Sequence, residues 1–355
     1  VSSFDDLDRH FGALPPATVS ALIAIAEAKG RADLYRQQGP SSLETLRRVA
    51  LIQSTEASNA IENIHAPRPR IEELVTEKTT PQDRSEQEIA GYRDVLATIH
   101  ANGAAIPFET RYVLQLHGSM HRYVGTRDAG KWKTVDNTVE EELPDGTRVV
   151  RFVPVPALLT PHAMEDLHAA FGRALSDGTY APLLLVAAYV LDFTVIHPFR
   201  DGNGRMSRLI TLWLLYVAGH DVGRYISLEK LIDDTKETYY DALRSSTKGW
   251  QEGTHDLAPW TGYFLGILLA AYREFERRTG VLAGRGSKRK LIETFIASRI
   301  VEEFTIADVR EAAPGVSHGY INRVLGDLKN QGRVEPLGTG RSARWRRLGR
   351  FGNTS

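Results

Sequence analysis

Apolar residues recur at helical spacing along most of the chain, and two runs are apolar almost throughout. Residues 182–196 (PLLLVAAYVLDFTVI) and 209–217 (LITLWLLYV) lack a polar face, which predicts two helices buried on most sides. Elsewhere the pattern is one-sided. Leu43, Leu46, Val49, Ala50, Ala57, Ala60 and Ile61 form a stripe that predicts a helix over 41–63, opened by a Ser41/Glu44 capping box. Pro15-Pro16 before ATVSALIAIAEAK and Gly30 after it predict an earlier helix that stops at the glycine. Residues 64–80, with Pro67 and Pro69, read as a connection with one short helix. The pattern predicts further helices over 85–103, 108–123, 160–176, 224–244 and 256–278. The period changes in 126–156, where Val149, Val150, Phe152, Val153 and Val155 follow the turn signal Pro144-Asp145-Gly146. That stretch predicts a β-hairpin. A lone hairpin exposes a strand edge, which either decorates the surface or captures an extended peptide.

Residues 279–287 (TGVLAGRGS) are small and glycine-rich, as in a linker. Residues 288–350 then read as a separate small domain. Thr305 with Asp308 caps one helix, Ser317 caps another that Gly332 ends, and two short strands flank Gly338-Thr339-Gly340. Helix, helix-turn-helix, hairpin is the order of a winged helix. This segment holds thirteen Lys or Arg against seven acids, an excess of six. The footprint is modestly basic, so contact with DNA and contact with protein both stay open.

Composition adds exclusions. Lys plus Arg equals Asp plus Glu at 44 each, so net charge gives no pull toward nucleic acid or acidic membranes. The absence of cysteine excludes disulfides, cysteine-based zinc sites and thiol nucleophiles. No apolar stretch is long enough for a membrane span. The opening VSSFDDLDRH is too polar for a signal peptide, and the expectation is a cytoplasmic protein.

The chemistry concentrates between the two apolar helices, in His197-Pro198-Phe199-Arg200-Asp201-Gly202-Asn203-Gly204-Arg205-Met206-Ser207-Arg208. Charges so placed must face a cleft or be buried without partners. Gly202 and Gly204 let the main chain curl so that N–H groups face one point, and the helix N-terminus adds positive potential. Arg205 and Arg208, three apart, put two guanidinium groups beside that anion pocket, suiting a di- or triphosphate. Asp201 at the same mouth is a natural Mg²⁺ ligand. His197, neutral at pH 7, can accept a proton from an incoming hydroxyl. Phe199 reads as the apolar peg that fixes the loop. These are the parts for attack on a phosphorus.

Two other features stand apart. Ser58 and Glu62 share one face near the end of their helix. A carboxylate there opposes the helix dipole, so Glu62 is either solvated or paired with a cation from elsewhere. His117 and His121 are also four apart, but HxxxH without an internal glutamate lacks the metalloprotease signature, so they read as ordinary core or surface histidines.

The dodecad resembles, at all eight constrained positions, the motif HxFx(D/E)(A/G)NGRxxR of Fic-domain proteins, and the resemblance extends over about residues 41–278. It implies a mainly α fold: a Fic helical core with a β-hairpin flap at 130–155, joined to the small C-terminal winged-helix domain. The implied organisation is an N-terminal helical region (1–105), the Fic core (106–278), the linker (279–287) and the C-terminal domain (288–355). The implied activity is transfer of AMP from ATP to a Ser, Thr or Tyr hydroxyl of a target protein, with release of pyrophosphate. On that resemblance His197 is the general base and Asp201 the Mg²⁺ ligand. Asn203 and the adjoining amides of Gly202 and Gly204 hold the α-phosphate, and Arg205 and Arg208 bind the β/γ end. A kinase-like branch carries lysine at the second motif glycine; Gly204 favours AMP transfer. Ser58-x-x-x-Glu62-Asn63 is similar to the inhibitory (S/T)xxxE(G/N) motif, which implies that Glu62 pairs with Arg208 and blocks the γ-phosphate. The hairpin is similar to the flap that registers the target segment. Tyr239-Tyr240, followed by Ala242-Leu243, resembles the segment lining the adenine site. The sequence departs from the family pattern at Lys131-Trp132-Lys133, after Asn137, and at Thr235. Removal of AMP by the same pocket, and a DNA-binding regulator whose Fic pocket only senses nucleotide, are the alternatives. A homodimer is left open.

Overall fold

The computed structural model describes residues 2–38, 40–77, 79–142, 148–283, 287–298, 303–313, 316–338 and 344–348. Among them the chain is mostly helical. In order, the elements are α1 (Leu7–Phe11), α2 (Pro16–Gln38), α3 (Pro40–Ile61), α4 (Arg68–Thr76), α5 (Arg84–Asn102), α6 (Thr110–Met120), β1 (Val139–Glu142), β2 (Arg148–Phe152), α7 (Thr160–Asp177), α8 (Pro182–Ile196) and α9 (Asn203–Val217). Then come α10 (Leu228–Asp234), α11 (Lys236–Thr247), α12 (Ala258–Ala283), α13 (Ser287–Ser298), β3 (Glu303–Thr305), α14 (Ile306–Ala312), α15 (His318–Asn330), β4 (Val334–Leu337) and β5 (Arg344–Arg347). No single described helix is long and apolar enough to cross a membrane.

The chain forms two compact units, one of residues 1–30 and 48–272, the other of residues 31–47 and 273–355. The expected regions 1–105 and 106–278 therefore share one unit for the most part. That unit is built on α8, whose residues are all buried except Pro182 and Thr194. α8 packs against α7 and α9, and α5 packs against α6 and α9. Tyr189, Phe193, Phe199 and Trp213 are fully buried there. Truncating a side chain of this size costs roughly 3–5 kcal/mol. Asp192 is the polar exception on α8. Its carboxylate accepts from the Ser3 N–H and hydroxyl and from Trp250 Nε1, while burial pushes its pKa up to about 6.

Several helix limits differ from the sequence reading. α2 does not stop at Gly30 but runs on to Gln38; nothing forces a positive φ at Gly30, and RADLYRQQ continues with good helix formers. α3 begins at Pro40, so Ser41 lies inside it rather than capping it. The helix expected over 224–244 is two, because the chain breaks at Thr235 (φ −123°, ψ 31°). α12 runs through Ala283, into the expected linker. The β1–β2 pair is antiparallel, with an irregularity between Val139 and Glu140. It is shorter than the expected 130–155 hairpin, and the turn at Pro144-Asp145-Gly146 lies outside the described residues.

In the second unit, β3, β5 and β4 form an antiparallel sheet in that order. Its core gathers Ile292, Ile296, Phe304, Val309, Ile321, Leu325 and Leu328. The sequence reading missed β3. The Thr305/Asp308 capping box and the Ser317 cap are both present. Thr339 and Gly340 lie outside the described residues.

Candidate active site

The site forms where α8 ends and α9 begins. His197 is the C-cap of α8 in the left-handed region (φ 51°, ψ 60°), a conformation rare for a residue other than glycine. It turns the chain sharply out of the buried helix. Phe199 then drops back into the core, fully buried. Its main-chain N–H donates to Asn203 Oδ1 (2.8 Å), and Asn203 Nδ2 donates to its carbonyl (2.7 Å). The motif asparagine thus closes the loop on itself. Gly202 (φ 80°) is the N-cap of α9 without any side-chain cap, so the first amides of α9 keep their donors free of a side-chain acceptor. A Cβ on Gly202 would lie 2.6 Å from the Met120 side chain and 2.9 Å from His121 Nε2, so those side chains would have to shift to admit one, and the positive φ adds strain.

The His197 imidazole is oriented by its neighbours. His197 Nδ1 lies 3.3 Å from the Thr194 carbonyl. A carbonyl only accepts, so Nδ1 carries the proton and Nε2 keeps its lone pair. Burial, and to a lesser degree the nearby Lys133 charge, hold the imidazole low, at about 4, against the upward pull of the Thr194 carbonyl, then of Glu62 and Asp201. The side chain is therefore neutral at pH 7 and competent to take a proton.

The two motif arginines have different partners. Arg205, 1% exposed, sets Nη1 2.9 Å from Glu88 Oε2 on α5 and Nη2 3.8 Å from Asp201. Among the described residues its buried Nε has no hydrogen-bond partner. Arg208 turns to α3: Nε donates to Ser58 Oγ, and Nη2 to the Ser58 carbonyl and to Glu62 Oε1, each at 2.8 Å. Asp201 is open to solvent, with 62% of its side chain exposed.

The end of α3 explains how Glu62 reaches this point. Asn63 N–H bonds the Ala60 carbonyl and Ile64 N–H the Asn59 carbonyl, while Asn63 adopts φ 59°. This is a Schellman stop with asparagine as the left-handed residue. Lys236 Nζ donates to the Ile61 carbonyl at 3.0 Å, answering the negative end of the helix. Glu62 follows directly, and its Oε1 would lie 2.1 Å from a Cβ on Gly204. Its carboxylate thus occupies the first turn of α9, beside Arg208: an anion already sits in the anion pocket.

Tyr239 is buried near Arg208, packing on Trp260 and Tyr263. The cavity that it lines with Ser207 and Arg208 is small, about 30 Å³. Tyr240 lies outside that cavity, 39% exposed.

Sequence reasoning missed three supports. His117 stacks on Phe199 (centroids 3.7 Å apart, 7° between planes). Its Nδ1 accepts from Gly130 N–H, so Nε2 donates to the Asp201 carbonyl at 3.1 Å. Both nitrogens are used, which removes the His117/His121 pair as metal ligands. Lys133 and Asn137, expected in the flap, lie instead against the motif loop. The helical spacing of His117 gave no hint of this, since the partner loop is distant in sequence.

Residues 107–215, the stretch that holds the motif loop, match the model of the Fic/DOC family. No curated protein matches the chain. Solved structures do. A Fic family protein from Desulfovibrio desulfuricans G20 is similar with TM-score 0.62 and 21% identity, covering 96% of this chain and 98% of that one. A Fic domain-containing signaling protein from Bacteroides thetaiotaomicron VPI-5482 gives TM-score 0.58 and 19% identity, over 70% and 95%. Fic-1 (aa134–508) from C. elegans gives 0.58 and 17%, over 74% and 73%. These likenesses establish the Fic fold. The family match spans the motif loop and ends before Tyr239; Ser58 and Glu62 precede it.

Proposed function

We propose that the chain is a self-restrained protein adenylyltransferase, moving AMP from ATP to a Ser, Thr or Tyr hydroxyl of a target protein. One observation carries the reading: a neutral imidazole with a free Nε2 stands beside a helix N-terminus whose anion pocket is filled by the chain's own carboxylate. His197 takes the proton of the attacking hydroxyl. The acceptor oxygen bonds the α-phosphorus while the bond to the bridging oxygen of the β-phosphate breaks, and pyrophosphate leaves. The amides at the start of α9 and Arg208 suit the charge on the phosphates.

Asp201 fits a Mg²⁺ ligand by its exposure at the pocket mouth. Among the described residues no group of three His, Asp or Glu could hold a metal, so phosphate oxygens and water would complete the shell, as is usual for this ion. When bound, the ion would neutralise charge developing on the phosphates. The edge of the β1–β2 pair, with Val150 half exposed, suits strand addition by the target segment.

Glu62 supplies the restraint. While its carboxylate holds Arg208 and covers Gly204, a triphosphate cannot seat its distal end there.

In the second unit, the order α13, β3, α14, α15, β4, β5 favours a winged-helix module. Much of its positive charge is spent internally: Arg289 on Glu293 and Asp327, Arg346 on Glu303 and Glu335, Arg344 on Glu303. That weakens the electrostatic case for DNA and favours a protein-contact role.

Incubation with a target lysate and ATP labelled at the α- or the γ-phosphate tests the reading. AMP transfer puts α-label, and no γ-label, on protein. Loss of α-label from premodified protein would instead favour the reverse reaction, and γ-label on protein would refute AMP transfer.

A further inference from the structure

Lys133 is almost completely buried, which is rare for a lysine. Its Nζ donates to the Ile196 carbonyl at 3.1 Å and to Asn137 Oδ1 at 2.8 Å. Its main-chain N–H donates to the Pro198 carbonyl at 2.9 Å. Asn137 Nδ2 donates to the Phe199 carbonyl at 3.1 Å. One short segment therefore holds the carbonyls before and after His197, and the next one along.

Ile196 closes α8, and its carbonyl belongs to the last turn, which lacks intrahelical partners and carries the negative end of the helix dipole. A cation placed there satisfies the acceptor and complements the dipole. The site is dry: burial pulls the Lys133 pKa down to about 8, yet the group stays an ammonium at neutral pH. The His197 N–H still bonds the Phe193 carbonyl and Asn203 closes the loop from within, but a left-handed histidine persists only where its surroundings over-determine it, and donors from outside the helix add to that constraint.

We propose that Lys133 is a positioning residue for His197: its ammonium, oriented by Asn137 and bonded to the Ile196 carbonyl, fixes the end of α8 and so aims the imidazole. The inference rests on His197 as the base of the transfer reaction. The groups facing that imidazole are the Thr194 carbonyl on α8, Lys133 from its own segment, Glu62 from the end of α3 and Asp201 from the motif loop. Lys133 and the acids act in opposite directions, so removing the ammonium favours protonation of the base and slackens its aim at once.

The test compares Lys133→Met, which keeps the apolar stem, with Lys133→Arg, which keeps the charge. In histidine-labelled full-length chain, the His197 resonance (assigned by its loss in His197→Ala) is titrated by NMR. Lys133→Met should raise the midpoint from its low wild-type value, and Lys133→Arg should stay close to wild type. In the transfer assay Lys133→Met should lower kcat about 10- to 100-fold, the scale of a misplaced reacting group. The KM for Mg·ATP should hardly change, and arginine should recover most of the rate. If Lys133→Met does not fold, Asn137→Ala, which frees the ammonium without removing it, should shift both readouts in the same direction by less. An unchanged His197 midpoint in a folded Lys133→Met chain overturns the proposal. So does a rate loss that arginine fails to recover. The NMR arm needs no turnover: a shifted midpoint in a chain that never labels protein would sustain the positioning role and count against AMP transfer.

Discussion

Replacing Glu62 with alanine should convert a restrained nucleotide site into an open one. In the native chain its Oε1 accepts from Arg208 Nη2 at 2.8 Å and covers Gly204. A hydrogen bond between charged partners contributes about 1.5–3 kcal/mol. A triphosphate must displace that contact before it can use Arg208, so its apparent affinity is reduced by the same amount. At about 1.4 kcal/mol per decade, Glu62→Ala should tighten Mg·ATP binding roughly 10- to 100-fold. The substitution should be mild for folding. Arg208 keeps Ser58 Oγ and the Ser58 carbonyl, and a third of the Glu62 side chain is exposed, so the lost pair costs folding no more than the same roughly 1.5–3 kcal/mol. Calorimetric titration of both chains with a non-hydrolysable ATP analogue and Mg²⁺ measures the affinity, and α-labelled ATP measures self-labelling. Equal dissociation constants with equal labelling would refute the restraint. Weaker binding by Glu62→Ala would make Glu62 part of the nucleotide site rather than its competitor.

His197→Ala should lower the transfer rate by about 10²–10⁴-fold, the usual contribution of a general base, while Mg·ATP still binds; a retained rate would remove the base assignment. Asp201→Asn should raise the Mg²⁺ concentration needed for half-maximal rate, read from a metal titration, and an unchanged curve would discharge Asp201 of that role. Acid should destabilise the fold. Burial holds His117, His197 and His255 at about 4, below the unfolded value of about 6.5. The unfolded chain then takes up protons first, so stability present above that value is lost as pH falls toward 4. Asp192, raised to about 6, works in the opposite sense below pH 6 and offsets one of the three. Each uncompensated proton contributes on the order of 1.4 kcal/mol per pH unit; a melting temperature flat from pH 7 to 5 would contradict this.

The local signals that the sequence carries well are those settled within a few residues. The two apolar runs became α8 and α9 because no polar face had to be oriented. The Thr305 and Ser317 caps were readable in their own side chains; the left-handed stop at Asn63 was not read, and the helix was expected to run through it. Limits that depend on distant partners were not readable. Gly30 passes through a helix because its neighbours favour helix and nothing there demands a turn. Thr235 breaks a segment whose periodicity looks continuous. The largest gap concerns 131–137. Read as one arm of a hairpin, it instead supplies donors to carbonyls some 60 residues away, and a carbonyl leaves no mark in a sequence. His117 was obscured in the same way: spacing placed it on a helix face, but only the fold puts that face under Phe199. For the same reason the arginines looked alike in sequence, whereas Arg205 meets Glu88 and Arg208 meets Glu62.

A crystal structure of the Glu62→Ala chain with Mg²⁺ and an ATP analogue measures directly where a triphosphate lies. The distal phosphates should rest on the first amides of α9 and on Arg208, with His197 Nε2 facing the α-phosphorus across the space for a hydroxyl. Phosphates bound elsewhere, or an Arg208 still turned to Ser58 with an empty helix N-terminus, would contradict it.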